Sequence, residues 1–385
     1  MRRLLPWVVL IGIAGIGPGL RAQTPVVVPL VNFSNSGQLG INVLIGTDPT
    51  PHTYLLDTGS AAFATAMGTS SSWTNATFTP TGGTFDISYG DGSLEYTGNV
   101  ATATVTLSDA NGDALAPVTN ATLGIITNQP YANWTNEINS TPPIAPESPT
   151  THQFFGTFGA GLFETASGLS SVLGQMAPAG LTQGFIIDTG GIQSTTPTLT
   201  IGLTAAAIAS FPIKIPMNSM TGQLLTSTGV TVNLYPEAQT NAKLSLINGG
   251  GNYTKTIDVI IDSGGLNTHY STHDTLPASI ASGMDITAGT DFSLTKTGLS
   301  GNEDLDWTFT TGTTDYVDKM TLMDGNDALN TGIALYYQYE VMFDTQDGII
   351  GLDPIVVPEP SSCALVAGGV FFAFVAWRRG RSREA

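Results

Sequence analysis

The chain has 385 residues, 41% of them hydrophobic, and 45 glycines, enough to bury the core of one large or two medium domains and too apolar for a disordered chain. Its net charge of -18 argues against nucleic-acid binding, because every Arg lies in an end segment and the only Lys and Arg cations between Gln23 and Val357 are Lys214, Lys243, Lys255, Lys296 and Lys319. Helix formers are scarce while Thr, Val, Ile, Gly and Ser fill short alternating runs, which points to an all-β protein without long helices; so few cations also suit a body that stays folded in acid.

Arg2 and Arg3 followed by the apolar run Leu4 to Ile16 and small Ala22 read as a secretory signal peptide over 1–22, so the protein is expected to be exported. The sole cysteine, Cys363, lies in the tail, which leaves the body without a disulfide and dependent on its core. Val26 to Val31 reads as a strand, Asn35-Ser36-Gly37 as a turn, and Leu39 to Ile45 as a second strand. These strands use the residues ahead of Asp57 and leave no room for a prosegment.

Tyr54-Leu55-Leu56 then reads as a buried strand that delivers Asp57, followed by Thr58, Gly59 and Ser60, where Gly permits a sharp turn. Alone, Asp-Thr-Gly is also ordinary turn chemistry. A partner changes its weight: Val259-Ile260-Ile261 leads into Asp262-Ser263-Gly264 in the other half of the chain. Between them, Thr84 to Gly98 reads as a β-hairpin with Tyr89, Gly90 and Asp91 at its Gly-rich tip.

Other candidates are weaker. Asp109 to Asp113 alternates like a calcium loop but lacks the Gly at its sixth position and the acid at its twelfth, and it reads as a hairpin turn. His269 and His273 have metal spacing only on a helix, and their surroundings read as loop. Phe185-Ile186-Ile187 running into Asp188-Thr189-Gly190 competes with Asp262 by pattern. Asp188, however, is followed by a hairpin from Ile192 to Ile201, whereas Asp262 is followed by enough chain to complete a second lobe. No Gly-x-Ser-x-Gly and no body cysteine supports a serine or thiol hydrolase.

Asp57-Thr58-Gly59-Ser60, the Tyr89-Gly90-Asp91 tip and Asp262-Ser263-Gly264, in that order in a β-rich exported chain, resemble the pepsin-like aspartic endopeptidases. Gly156 to Gly161 has the spacing of that family's glycine loop beside the first Asp, and Gly332 to Asp344 with Gly348 to Leu352 resembles its closing strands, so the likeness spans about Val26 to Pro354. The resemblance implies an all-β, bilobal fold with the N-terminal lobe at 23–197, the C-terminal lobe at 198–356 and the active site in the cleft between them. It implies Asp57 and Asp262 as the catalytic pair, Thr58 and Ser263 bonded across the lobes, and Ser60 as donor to Asp57. It also implies a flap carrying Tyr89 over a bound peptide, a monomer, and no cofactor or metal. Gly265 stands where the family usually has Thr or Ser, so Asp262 is expected to lack a hydroxyl donor, and the run Ala61 to Met67 departs from the family as well. The rival reading is an inactive pepsin-like fold used for binding at the cell surface.

The tail at 357–385 reads Val357-Pro358-Glu359-Pro360, then Cys363 to Trp377 without charge, then Arg378-Arg379-Gly380-Arg381. This order resembles the PEP-CTERM sorting signal of Gram-negative bacteria. It implies transient anchoring in the inner membrane, an exosortase-type processing enzyme as partner, and a final location in the periplasm, outer surface or extracellular matrix.

Overall fold

The computed structural model describes residues 24–355 apart from 34–36, 67–77, 90–93, 110, 129–153, 164, 166–167, 177, 179, 227–228 and 315–316. The signal-peptide and tail readings therefore lie outside the described residues. Among those described, no helix is long and apolar enough to cross a membrane.

The chain is almost entirely β. Strands from 31–159 form an eight-stranded sheet and strands from 240–330 a nine-stranded one, and these make two lobes. A six-stranded sheet joins them, in the order Val26–Pro29, Thr198–Leu203, Thr182–Asp188, Tyr339–Asp344, Ile349–Pro354, Ile213–Pro216. Period-two patterning explains its two faces: Phe185, Ile187, Leu199, Ile201, Val341 and Phe343 enter the main core, while Ile186 and Met342 point to the other side, where they form a smaller cluster with Leu203, beyond the irregular Gly202, and Phe211. The short helix Ala205–Ser210 lies over that cluster through Ala207 and Ile208, its first turn capped by Thr204.

The single strand expected from Val26 to Val31 is two strands. Val26–Pro29 pairs with Thr198–Leu203 in the joining sheet, and Val31–Phe33 pairs with Gln38–Ile45 in the first lobe. The chain changes sheet at Leu30, whose N–H goes to Pro197 O at 2.9 Å, directly after Pro29, which has no N–H to continue a ladder. Likewise, the strand after Asp188 does not fold back within 192–201. Its hairpin partner is Thr182–Asp188 itself, through the register Asp188 to Thr198.

The two lobes repeat one arrangement. In the first, His52–Asp57 runs parallel to Gly156–Gly159, which is antiparallel to Phe63–Ala66, which in turn runs parallel to Ala114–Asn128. In the second, Gly251–Ile260 runs parallel to Ala328–Asn330, which is antiparallel to Thr268–Ser271, which runs parallel to Met320–Met323. Each lobe thus threads its Asp-bearing strand beside a later strand of the same lobe. Asp188 has no such setting, because its strand pairs only antiparallel within the joining sheet.

Three carboxylates meet on that sheet. Glu340 pairs with Asp353, and the register of Ile187 with Val341 puts Asp188 on its other side. Like charges in adjacent strands repel. Burial first, then Asp188 and Asp353, push the Glu340 carboxyl up to about 7. The folded protein therefore holds this proton more tightly than the unfolded chain does. The penalty is absent below the ordinary glutamate range, grows as pH rises through it, and is complete above about 7. Replacing Glu340 by Gln is expected to raise the Tm at pH 8 by about 2 °C, corresponding to about 1 kcal/mol for a partly solvated group, and to leave it unchanged at pH 4. Calorimetry at the two pH values checks this.

Candidate active site

Asp57 is the last residue of the strand His52–Asp57, whose Tyr54 and Leu56 are fully buried. Asp262 lies two residues beyond the strand Gly251–Ile260. The two loops grip one another by four hydrogen bonds related by an approximate two-fold. Thr58 Oγ1 accepts from Ser263 N–H at 2.9 Å and donates to Ile261 O at 2.8 Å; Ser263 Oγ accepts from Thr58 N–H at 3.2 Å and donates to Leu56 O at 2.8 Å. Both hydroxyl residues are buried, so these bonds satisfy groups that water cannot reach.

The grip holds the two carboxyls face to face, buried at 6% exposure for Asp57 and 7% for Asp262. The glycines make this approach possible. A Cβ on Gly59 would stand 2.5 Å from Asp262 Cγ, and one on Gly264 would stand 2.5 Å from Asp57 Cγ. Gly59 N–H donates to Asp57 Oδ1 at 2.8 Å and to Asp262 Oδ1 at 3.2 Å, and Gly264 N–H donates to Asp262 Oδ1 at 2.6 Å. Ser60 Oγ donates to Asp57 Oδ2 at 2.7 Å.

Burial above all, then the charge of Asp262 and a hydrogen bond with it, hold the Asp57 carboxyl well above the ordinary range, although Ser60 and the Gly59 amide pull the other way. Two such acids in contact cannot both ionise cheaply, so they titrate as a pair sharing one proton.

Neighbouring loops brace the pair. In the first lobe Ala160 N–H donates to Asp57 O at 2.7 Å and Gly161 N–H to Ser60 O at 2.7 Å. In the second, Thr331 N–H donates to Ile260 O at 2.9 Å, Ile333 N–H to Gly265 O at 2.8 Å, and Thr331 Oγ1 receives Asp262 N–H at 3.2 Å. Gly265 is thus the backbone counterpart of Ser60.

Two residues here escaped sequence reasoning. The buried Tyr336 hydroxyl lies 2.7 Å from Thr58 Oγ1. With the Thr58 hydrogen directed to Ile261 O, the Tyr336 hydroxyl donates to Thr58 Oγ1 and also lies 3.4 Å from Ile261 O. The other is Asn330, whose Nδ2 donates to Asp262 Oδ2 at 2.6 Å. Asp262 thus has no hydroxyl donor at the Gly265 position, as expected, but an amide at the end of the neighbouring strand reaches its Oδ2 in place of one.

The remaining candidates lie elsewhere. Tyr89 ends the strand Thr79–Tyr89 opposite Leu94, so its backbone sits on a two-stranded arm, while Gly90 and Asp91 are outside the described residues. Asp188 Oδ1 accepts from Gly190 N–H, and Thr189 Oγ1 donates to Tyr336 O, so this third Asp-Thr-Gly closes a turn behind the grip. Asp109 Oδ1 accepts from the N–H groups of Asn111 and Asp113 at 2.9 Å each, forming a tight turn between two strands. His269 bonds Thr321 from a strand and His273 bonds Asp324 beyond it, on no common helix.

No protein-family model matches this chain, nor does any curated protein. Among solved structures it is similar to the aspartic proteinase from Irpex lacteus, with 16% identity, a TM-score of 0.51, and 86% of this chain and 97% of that one covered. At such identity the likeness is one of fold, and it identifies this bilobal architecture as pepsin-like.

Thr58→Val removes the shorter donor to Ile261 O, orphans the Ser263 N–H and leaves the Tyr336 hydroxyl only its 3.4 Å bond to Ile261 O. It is expected to destabilise the fold by about 3 kcal/mol, whereas Tyr336→Phe, which empties one acceptor site, costs about 1 kcal/mol. Urea unfolding of both variants measures the difference.

Proposed function

We propose that this chain is an aspartic-type endopeptidase that hydrolyses peptide bonds in acid, with Asp57 and Asp262 as its catalytic pair. The observation that carries this reading is the pair of buried carboxyls in contact, each with a donor to its outer oxygen, held by the Thr58–Ser263 grip. A structure needing only a surface for binding has no use for two costly buried acids.

In the reaction the ionised member of the pair takes a proton from a water while the water oxygen attacks the peptide carbonyl carbon. The protonated member gives its proton to the carbonyl oxygen. Collapse of the tetrahedral intermediate then breaks the C–N bond as the amine leaves with a proton, and no covalent enzyme intermediate forms. Thr58, Gly59, Ser263 and Gly264 hold the two acids in place, Ser60 steadies Asp57, and the arm bearing Tyr89 would close over the peptide.

The pair works with one proton. Because Asp57 binds its proton unusually tightly, the upper limb of the activity profile lies above the ordinary carboxylate range. Export by residues 1–22, release of the tail at 357–385 by an exosortase-type enzyme, and action as a monomer in the periplasm, at the outer surface or in the extracellular matrix complete the proposal and rest on the sequence.

Incubating the exported protein with an unfolded protein substrate from pH 3 to pH 7 tests this. Asp57→Asn and Asp262→Asn are each expected to lower cleavage by roughly a hundred- to ten-thousand-fold without unfolding the chain. Asp188→Asn should keep most of it. Absence of cleavage by the unmodified protein at every pH, or an active Asp262→Asn variant, overturns the reading.

A further inference from the structure

The outer oxygens of the two carboxyls receive one side-chain donor each, but the donors differ in kind. At Asp57 the donor is the Ser60 hydroxyl at 2.7 Å; at Asp262 it is the Asn330 amide at 2.6 Å. Asn330 ends the strand Ala328–Asn330, held between Ile260 on one side and His269 on the other. Its Oδ1 accepts Gly332 N–H at 2.8 Å, which turns Nδ2 toward the carboxyl. The amide is therefore fixed at both ends.

Gly265 belongs to the same device. A Cβ there would come within 3.1 Å of Asp262 Oδ2, 3.2 Å of Asn330 Oδ1 and 3.2 Å of Gly332 Cα. The space a Thr or Ser would need is taken by Asn330, so a glycine at 265 and an amide at 330 are complementary.

The chemistry is not equivalent to a second hydroxyl. A hydroxyl can rotate and either donate to a carboxylate or accept from a carboxylic acid, whereas an amide nitrogen only donates. Ser60 thus tolerates both states of Asp57. Asn330 favours a charged Asp262 oxygen and opposes a proton there.

We propose that Asn330 is a positioning residue that holds Asp262 as the ionised member of the pair and leaves the shared proton on Asp57. This assigns Asp262 as the base that activates water and Asp57 as the acid, and as a statement about catalysis it rests on the endopeptidase reading above. The other groups facing Asp262 are the carboxyl of Asp57, the N–H groups of Gly59 and Gly264, the hydroxyl of Tyr336 beneath the grip, and Glu237, whose proton affinity is raised by burial and by Asp262. His269, level with Asn330, directs Nδ1 to Thr321 Oγ1.

The test follows the carbon-13 carboxyl resonances of aspartate through a pH titration of the exported protein, which needs no activity. Signals are assigned by their loss in Asp57→Asn and Asp262→Asn. Asn330→Leu is expected to raise the lower apparent pKa of the pair by about one unit. Asn330→Asp keeps the acceptor for Gly332 N–H and is expected to raise it further, so a packing defect in the Leu variant does not decide the matter. Adding Gly265→Thr to Asn330→Ala, where the truncated side chain leaves the hydroxyl room, should restore at least half the shift that Asn330→Ala produces by itself. Gly265→Thr alone should not lower the pKa, because the oxygen already has its donor. In the proteolytic assay the acid limb of kcat/KM should move with the titration.

An unchanged lower pKa in folded Asn330→Leu and Asn330→Asp overturns the proposal, as does a double variant without recovery. If the unmodified protein cleaves nothing while these shifts appear, the endopeptidase reading fails and the role of Asn330 at the carboxyl stands.

Discussion

Two carboxylic acids in contact at 6% and 7% exposure repel one another unless one keeps its proton. Much of the molecule keeps them together against that repulsion. The hydroxyls of Thr58 and Ser263 bind each loop to the backbone of the other, so pulling the lobes apart breaks four buried hydrogen bonds at once. The joining sheet and the bracing loops after Gly159 and Thr331 supply stiffness from behind. Glycine at 59 and 264 supplies the room.

Acid enters the same balance in two opposite ways. Lys255 lies 2.6 Å from Asp274 and 2.7 Å from Asp327, and it holds both carboxylates below their ordinary range. That contribution is present at neutral pH and fades as the carboxylates protonate. The Asp188, Glu340 and Asp353 row behaves the other way, since its repulsion disappears as Glu340 takes up a proton. Two of the four ion pairs seen between described residues involve histidine, so Lys255 is the main source of attraction there that acid removes, while the Glu340 row sheds repulsion.

Sequence alone makes the β class legible, because strand patterning depends on neighbours a few residues away. It also makes the strands entering Asp57 and Asp262 legible, since an apolar run ending in Asp and Gly is a local signal. The change of sheet at Leu30 is not local: it depends on Pro197 being close in space. Tyr336 reads as one more core aromatic until its hydroxyl is seen to meet Thr58, 278 residues away along the chain. Asn330 escapes for a similar reason. Its counterpart by register in the first lobe is Thr157, so even the internal repeat offers no hint that this position reaches a carboxyl. The missing hydroxyl at Gly265 is the only trace, and it speaks of a gap without telling what fills it.

The joining sheet also dictates the order in which the chain can fold. Val26–Pro29, among the first residues described, pairs with Thr198–Leu203, and Thr182–Asp188 pairs with Tyr339–Asp344. A chain emerging from its amino end therefore carries an unpaired apolar edge until about residue 203 has followed, and the six strands close only when Ile349–Pro354 arrives. Pairings this distant in sequence form slowly. Closure of the joining sheet is thus a late event, reached only after nearly all of the described chain has been synthesised.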